Sequence, residues 1–258
     1  FRKGHAHYSL GDYETAISLY TAKLKQSATD SLAFYERGVC AFELKQFESV
    51  ILDVSKAKNL QYHTTKSDWY IAMSQFHLGR YREAINSFND YLAIIPDDSV
   101  ALVHCAYAYE QTEEFELANL GYSSLKSFND TLKYHVGLNY LRQENYFSTA
   151  KIWSAVIEKE RMPKTFYYDL GKAYFVLKSY EKALKYFKKS SLIRYIPDDM
   201  NNLMAQCFES MENYEEALTY FNSYLISNPT DTLAYWKRGR AYYEGDQWAL
   251  ANNDFEVI

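Results

Sequence analysis

The chain has 258 residues, 48% hydrophobic and 24% charged, with a formal net charge of −5. That composition is globular and excludes a disordered or fibrous chain, and the mildly acidic balance gives no basic face for nucleic acid. No apolar run reaches the roughly 18 residues that would span a membrane, and nine Gly and four Pro are too few for a turn-rich all-β fold.

The first landmark is Tyr13, followed by Ala16 three residues on and Tyr20 seven on. The same arrangement returns as Tyr81, Ala84 and Phe88, as Tyr180, Ala183 and Phe187, and as Tyr214, Ala217 and Phe221. Equivalent aromatics stand at Phe47, Phe115, Tyr146 and Trp248, so that successive spacings are 34, 34, 34, 31, 34, 34 and 34. Nine residues before each aromatic lies a small residue: Gly4, Gly38, Ala72, Ala106, Gly137, Gly171, Ala205 and Gly239. Three residues beyond the small one an aromatic usually follows, as at Tyr109, Tyr140, Tyr174, Phe208 and Tyr242.

Each of these eight repeats carries two amphipathic helical patterns separated by a short polar turn. In the third repeat the spacing predicts helices over 66–78 and 82–95, the second ended by Pro96. Pro197 and Pro229 are expected to stop helices later in the chain. A glycine inside a helix costs about 1 kcal/mol relative to alanine, so the recurring small residue predicts close approach of a neighbouring helix backbone. The Ala of the second helix predicts the same. Large residues at Phe88, Trp153, Phe187, Phe221 and Phe255 would fill the wider gaps.

The repeats resemble the tetratricopeptide repeat, with its 34-residue period and its W, L-G, Y, A, F, P pattern. The stretches YYDLGKAYFVLKSYEKALKYF (167–187) and YWKRGRAYYEGDQWALANNDF (235–255) match best. The resemblance covers essentially the whole chain and implies an all-α, right-handed superhelical solenoid of antiparallel helix pairs, read as one domain over 1–258. It would account for most of the 26 Tyr. Val50 and Thr149 stand where the pattern has Ala, and the 31-residue spacing places a three-residue deletion near SFND (127–130). A shortened helix or tighter loop is expected there, with a local change of pitch. The first repeat starts inside its first helix and the last stops inside its second, so the sequence reads as a segment of a longer protein.

Cys40, Cys105 and Cys207 fall two and three repeats apart, beyond the ~7 Å Cα separation that a disulfide tolerates. They read as buried apolar residues, compatible with a reducing compartment. His5 and His7 imply no third ligand, and no metal or cofactor is expected. His104 and His135 occupy equivalent places in adjacent repeats, where a pH-sensitive pair is conceivable but two ordinary histidines are the simpler reading. No Gly-rich phosphate loop, nucleophile elbow, HExxH or paired-Cys zinc spacing occurs, so no catalysis is expected. Lys178, Lys182, Lys185, Lys188 and Lys189 make one basic patch on the sixth repeat, read as a solvated convex face.

The resemblance implies a concave groove lined by first helices. Its face includes the residue after each small one and those three or four away. The candidate partner-binding residues are Tyr35, Phe42, Trp69, Met73, Phe76, Tyr107, Tyr134, Tyr168, Lys172, Trp236 and Arg240, with Val39, Val103, Glu110, Leu138, Leu141, Phe175 and Tyr243 beside them. So many apolar residues on a solvent-facing stripe mark a protein or peptide partner, or else side chains buried against one another by tight curvature. The clamp that grips chaperone C-terminal carboxylates is missing, since Phe1, His5, Tyr35 and Val39 stand in its places. Three functions remain: a noncatalytic scaffold for an apolar segment, a regulatory or targeting region of a larger enzyme or transport system, and a subunit whose groove is filled permanently.

Overall fold

The computed structural model describes residues 2–127, 129–156 and 162–258, and these contain sixteen helices and no strand. They gather into two compact bodies, residues 1–128 and 129–258. The N-terminal body holds α1 (Arg2–Ser9), α2 (Tyr13–Gln26), α3 (Ser31–Glu43), α4 (Phe47–Asn59), α5 (Thr65–His77), α6 (Tyr81–Ile94), α7 (Ser99–Gln111) and α8 (Phe115–Ser123). The C-terminal body holds α9 (Asp130–Arg142), α10 (Tyr146–Ser154), α11 (Phe166–Val176), α12 (Tyr180–Leu192), α13 (Met200–Ser210), α14 (Tyr214–Ser227), α15 (Thr232–Glu244) and α16 (Trp248–Phe255). Consecutive helices pack in pairs within each body, and first helices also touch the next first helix, as α3 does α5 and α11 does α13. The boundary falls where the period shortens. There α8 has nine residues against fourteen in α6; Phe128, within the SFND stretch, lies outside the described residues.

Local chemistry sets the helix ends. Asp12, Asp30, Asp98, Asn129, Asn145 and Asp231 each accept a backbone N–H of the first turn, satisfying donors the helix leaves unpaired. The turn inside every repeat has one residue in the left-handed region: Gly11, Lys45, Gly79, Glu113, Glu144, Lys178, Glu212 and Asp246, with φ between 56° and 77°. The amide that follows bonds back to the first helix, as Gln46 N–H does to the Ala41 carbonyl at 2.8 Å and Ser179 N–H to Tyr174 at 2.9 Å. This is the Schellman closure, and it is present in all eight turns.

The small residues meet large side chains. A Cβ built on Gly4, Gly38, Gly137, Gly171 or Gly239 would lie 2.0–2.9 Å from Tyr20, Val54, Trp153, Phe187 or Phe255. In each case the plug stands sixteen residues after the hole, on the second helix of the same repeat. At Gly4, Gly137, Gly171 and Gly239 the close approach is therefore made by a side chain of the second helix and not by its backbone, whereas at Gly38 the Val54 backbone nitrogen also comes within 3.5 Å of that Cβ. Tyr20, Val54, Phe88, Trp153, Phe187 and Phe221 are 0–1% exposed, whereas Phe255 on α16 keeps 40%. Val50 and Thr149 are fully buried in the Ala position. Thr149 manages this by donating its hydroxyl to the carbonyls of Asn145 at 3.0 Å and Gly137 at 3.3 Å.

Two repeats add an ion pair in the same register. Arg37 grips Asp53 bidentately at 2.7 Å and reaches Thr21 of the preceding repeat at 3.1 Å. Arg238 does likewise with Asp254 at 2.8 and 2.5 Å and with Asn222 at 2.8 Å. The prolines behave unequally. Pro96 and Pro229 follow their helices within two residues, but α12 ends at Leu192, five residues before Pro197. Its stop is made by Arg194 at φ 59° and by the Ser190 hydroxyl, which donates to the Tyr195 carbonyl at 2.5 Å.

Candidate functional site

The first helices of the N-terminal body present a wall of rings. Phe42 on α3 lies 5.5 Å from Trp69 and 5.2 Å from Tyr70 on α5, and Trp69 and Tyr70 are 5.3 Å apart, with interplanar angles of 53–83°. Tyr35 meets Tyr70 edge-on at 6.3 Å. Further along, Phe76 contacts Tyr107 at 5.6 Å and His104 at 4.8 Å. A cleft of about 270 Å³ opens beside these rings, lined by Phe42, Glu43, Lys66, Trp69, Tyr70, Tyr91, Asp98 and Val100. It lies between the rings and the start of α7, where Tyr91 donates its hydroxyl to Asp98 at 2.7 Å. Burial works against ionisation of Asp98, but bonds from Tyr91 and the amides of Ala101 and Val100 outweigh it and hold the carboxyl below its usual range.

In the C-terminal body the equivalent face is more polar. Lys172 rests over the Tyr168 ring at 5.3 Å, and Arg240 over Trp236 at 4.9 Å while donating to Glu209 at 2.7 Å. Lys237 donates to the Gln206 side-chain amide oxygen at 2.8 Å, and the Gln206 amide nitrogen donates to the Asn202 side chain at 3.0 Å. Burial pulls the Lys237 ammonium down, with Glu209 and Asp231 opposing.

The eleven sequence candidates separate by burial. Lys172, Trp236 and Arg240 are exposed, and Tyr35, Phe42, Trp69, Phe76, Tyr107 and Tyr134 are half-buried. Met73 and Tyr168 are 6% and 7% exposed and sit in the cores of their bodies. Met73 packs with Ala84 and Phe88, while Tyr168 leans on Phe187 at 6.0 Å and donates its hydroxyl to Asp199 at 2.5 Å. Tyr134 stacks on Trp153 at 5.6 Å. Of the flanking positions, Val39 and Glu110 are also buried, the latter accepting from Tyr122 at 3.1 Å.

The reason is angular. At about 100° per residue, residues three or four apart on a first helix do not share one exposure, so Met73, Tyr168, Val39 and Glu110 fall on the packed edge of the chosen stripe while Phe42, Trp69, Lys172, Trp236 and Arg240 fall toward its open edge. Glu36, Glu43, Tyr70 and Lys66 stand beside the stripe, Glu43 and Lys66 exposed and Glu36 and Tyr70 half-buried, and none was among the candidates. The signal that finds three of them is the residue following a chosen aromatic: Tyr70 after Trp69, Glu43 after Phe42, Glu36 after Tyr35.

The remaining chemistry is structural. Cys40, Cys105 and Cys207 are free and buried, and burial pushes their thiols up to about 11, 12 and 12. His7 bonds to Asp12 at 2.9 Å. His104 donates to the Val100 carbonyl at 2.7 Å, and His135, in the other body, lies against Tyr134. Among the described residues no group of three potential metal ligands occurs, and no helix is long and apolar enough to cross a membrane. Lys182, Lys185, Lys188 and Lys189 each hold their ammonium over an aromatic ring at 5.3–6.0 Å, so this helix face is aromatic as well as basic.

Several known proteins are similar to this chain in sequence or in fold. Sperm-associated antigen 1 of Mus musculus is 28% identical over 99 residues, which is 38% of this chain and 11% of that protein. The Rattus norvegicus protein of the same name is 29% identical over 93 residues, 36% of this chain and 10% of its own length. The chain thus matches about a tenth of the length of these curated relatives. A tetratricopeptide repeat protein from Parabacteroides merdae ATCC 43184 superposes with a TM-score of 0.52 at 14% identity, over 98% of this chain and 97% of its own. YrrB, a tetratricopeptide repeat protein with an unusual peptide-binding site, gives 0.56 at 18% identity, over 66% of this chain and 89% of its own. The family profile described as tetratricopeptide repeat matches residues 1–49, 137–190 and 203–254, more than half the sequence. With its 34-residue period, its Schellman turns and its hole-and-plug core, the chain belongs to the tetratricopeptide repeat family.

Proposed function

We propose that this chain is a noncatalytic interaction scaffold that takes an apolar protein or peptide segment along its first-helix face, with Phe42, Trp69 and Tyr70 as the principal anchors. The observation that carries this is the cleft beside those rings. Half-buried aromatics bordering an open cleft are the groups from which binding hot spots are built, and an extended or helical segment can drop an apolar side chain among them. Phe76 and Tyr107 extend the wall within the same body. Lys172, Trp236 and Arg240 offer a separate, polar stretch in the C-terminal body. Tetratricopeptide repeat proteins are in general noncatalytic scaffolds, which agrees with this reading.

The test is selection from a displayed peptide library with the whole chain, repeated with Trp69→Ala. Sequences enriched by the parent and weakened roughly tenfold or more by the variant, at unchanged helical circular dichroism, support the anchor role. Equal enrichment by both proteins overturns it.

A further inference from the structure

The anchors sit beside two carboxylates that, among the described residues, have no hydrogen-bond or ion-pair partner. Glu36 and Glu43 are seven residues apart on α3, two turns along one face. Among the described residues of the N-terminal body, the buried or half-buried acids Asp12, Asp30, Asp53, Asp68, Asp98 and Glu110 each have a hydrogen-bond or ion-pair partner. Glu36 is the half-buried exception, and Glu43, at the edge of the cleft, is exposed and equally unpaired. Burial pushes the Glu36 carboxyl up, only partly offset by His5. Burial also pushes the Tyr70 hydroxyl up, with Tyr35, Tyr8, Glu43 and Glu36 adding to it, and Tyr8 feels both glutamates as well. Rings and carboxylates therefore share one wall. The opposing charges near it are Lys66, exposed at the cleft rim, and His5.

Resting on the groove reading above, the geometry points to a basic occupant: a peptide segment whose arginine side chain lies against Phe42, Trp69 and Tyr70 with its guanidinium between Glu43 and Glu36. The faces of the three rings attract a cation electrostatically, Trp most strongly. A half-buried carboxylate without a partner destabilises the free protein, and a charge-assisted bond relieves that cost only when a cation arrives. Guanidinium suits the place better than ammonium, because it is planar, stacks on rings and meets a carboxylate with two parallel N–H donors. An acidic segment would bring like charge against both glutamates.

The probe is a set of fluorescein-labelled twelve-residue peptides with fixed Leu and Phe anchors and one variable position carrying Arg, Lys, Gln or Glu. Binding to the whole chain is read by fluorescence anisotropy. The Arg peptide is expected to bind roughly tenfold more tightly than the Gln peptide, with Lys between them and Glu weakest. In Glu36→Gln with Glu43→Gln, which keeps side-chain shape, the ratio of Arg to Gln peptide affinity falls to about twofold or less. Equal binding of Arg and Gln peptides that Trp69→Ala still weakens would overturn the basic occupant and leave the groove standing. Preference for Glu would transfer recognition to Lys66. Binding that Trp69→Ala leaves untouched, or no binding by any member, would overturn both readings.

Discussion

Gly171 and Gly79 show two separate reasons for one residue type. Gly171 lies mid-helix, and a Cβ there would stand 2.6 Å from the ring of Phe187, which is fully buried and has nowhere to move. Gly171→Ala is therefore expected to cost about 1–3 kcal/mol, read as a lower urea midpoint. Gly79 has open space around it and is required instead for its φ of 73°, so Gly79→Ala costs about 1 kcal/mol through the backbone alone. The sequence announces Gly171 by period, yet it does not say what faces it. The reading of a neighbouring backbone was reasonable for a helical glycine, and the ring sixteen residues later was visible only as a second periodic feature. Trp153 over Gly137 and Phe187 over Gly171 make the pairing plain.

Helix pairs are joined by turns that strain six of the eight residues at their apex. Lys45, Glu113, Glu144, Lys178, Glu212 and Asp246 hold φ between 56° and 64°, a region that costs an L-residue with a Cβ about 1–2 kcal/mol. Lys45→Gly should stabilise the N-terminal body by about 0.5–1 kcal/mol, since relief of strain outweighs the added freedom of the unfolded chain. A lowered urea midpoint for this exposed site would mean that the turn draws on the Lys45 side chain itself. At this scale the sequence was most legible: the predicted helices at 66–78 and 82–95 stand at Thr65–His77 and Tyr81–Ile94. It was least legible where helix ends depend on single contacts. Pro197 drew attention to itself, while the stop beyond Leu192 is made by Arg194 and Ser190, neither of which carries a stop signal. The candidate site was half legible for a related reason. Periodicity identifies a helical face, but the division between its packed and open edges depends on how neighbouring helices lean. Trp69 and Phe42 fell on the open side of that division, Met73 and Tyr168 on the packed side.

Across the whole molecule, the same devices recur in distant repeats. Tyr91 bonds Asp98 at 2.7 Å and Tyr224 bonds Asp231 at 2.8 Å, one pair in each body. Burial opposes ionisation of both aspartates, and hydrogen bonds from the tyrosine and the following helix amides prevail, so both carboxyls are held below their usual range. A carboxyl depressed in the folded state releases its proton more readily there than in the unfolded chain. Its contribution is complete above the unfolded value near pH 4 and disappears as pH falls through the lower folded value. The double variant Asp98→Asn with Asp231→Asn should be less stable than the parent at about pH 7 and should lose less on acidification to about pH 3. Urea midpoints at the two pH values provide the check, and parallel losses in both proteins would place the acid sensitivity elsewhere.

The hole and its plug belong to the same repeat. A 34-residue cassette that starts before the small residue and runs past the large one carries its own complement wherever it is moved. Length variation by duplication or loss of whole repeats therefore leaves this part of the core intact, whereas recombination between hole and plug would join a glycine to an unmatched ring. The Arg37 and Arg238 clusters place a limit on that freedom, because each guanidinium also holds a side chain of the preceding repeat, Thr21 or Asn222. The second and eighth repeats are thus fitted to their predecessors and could be transplanted only together with them.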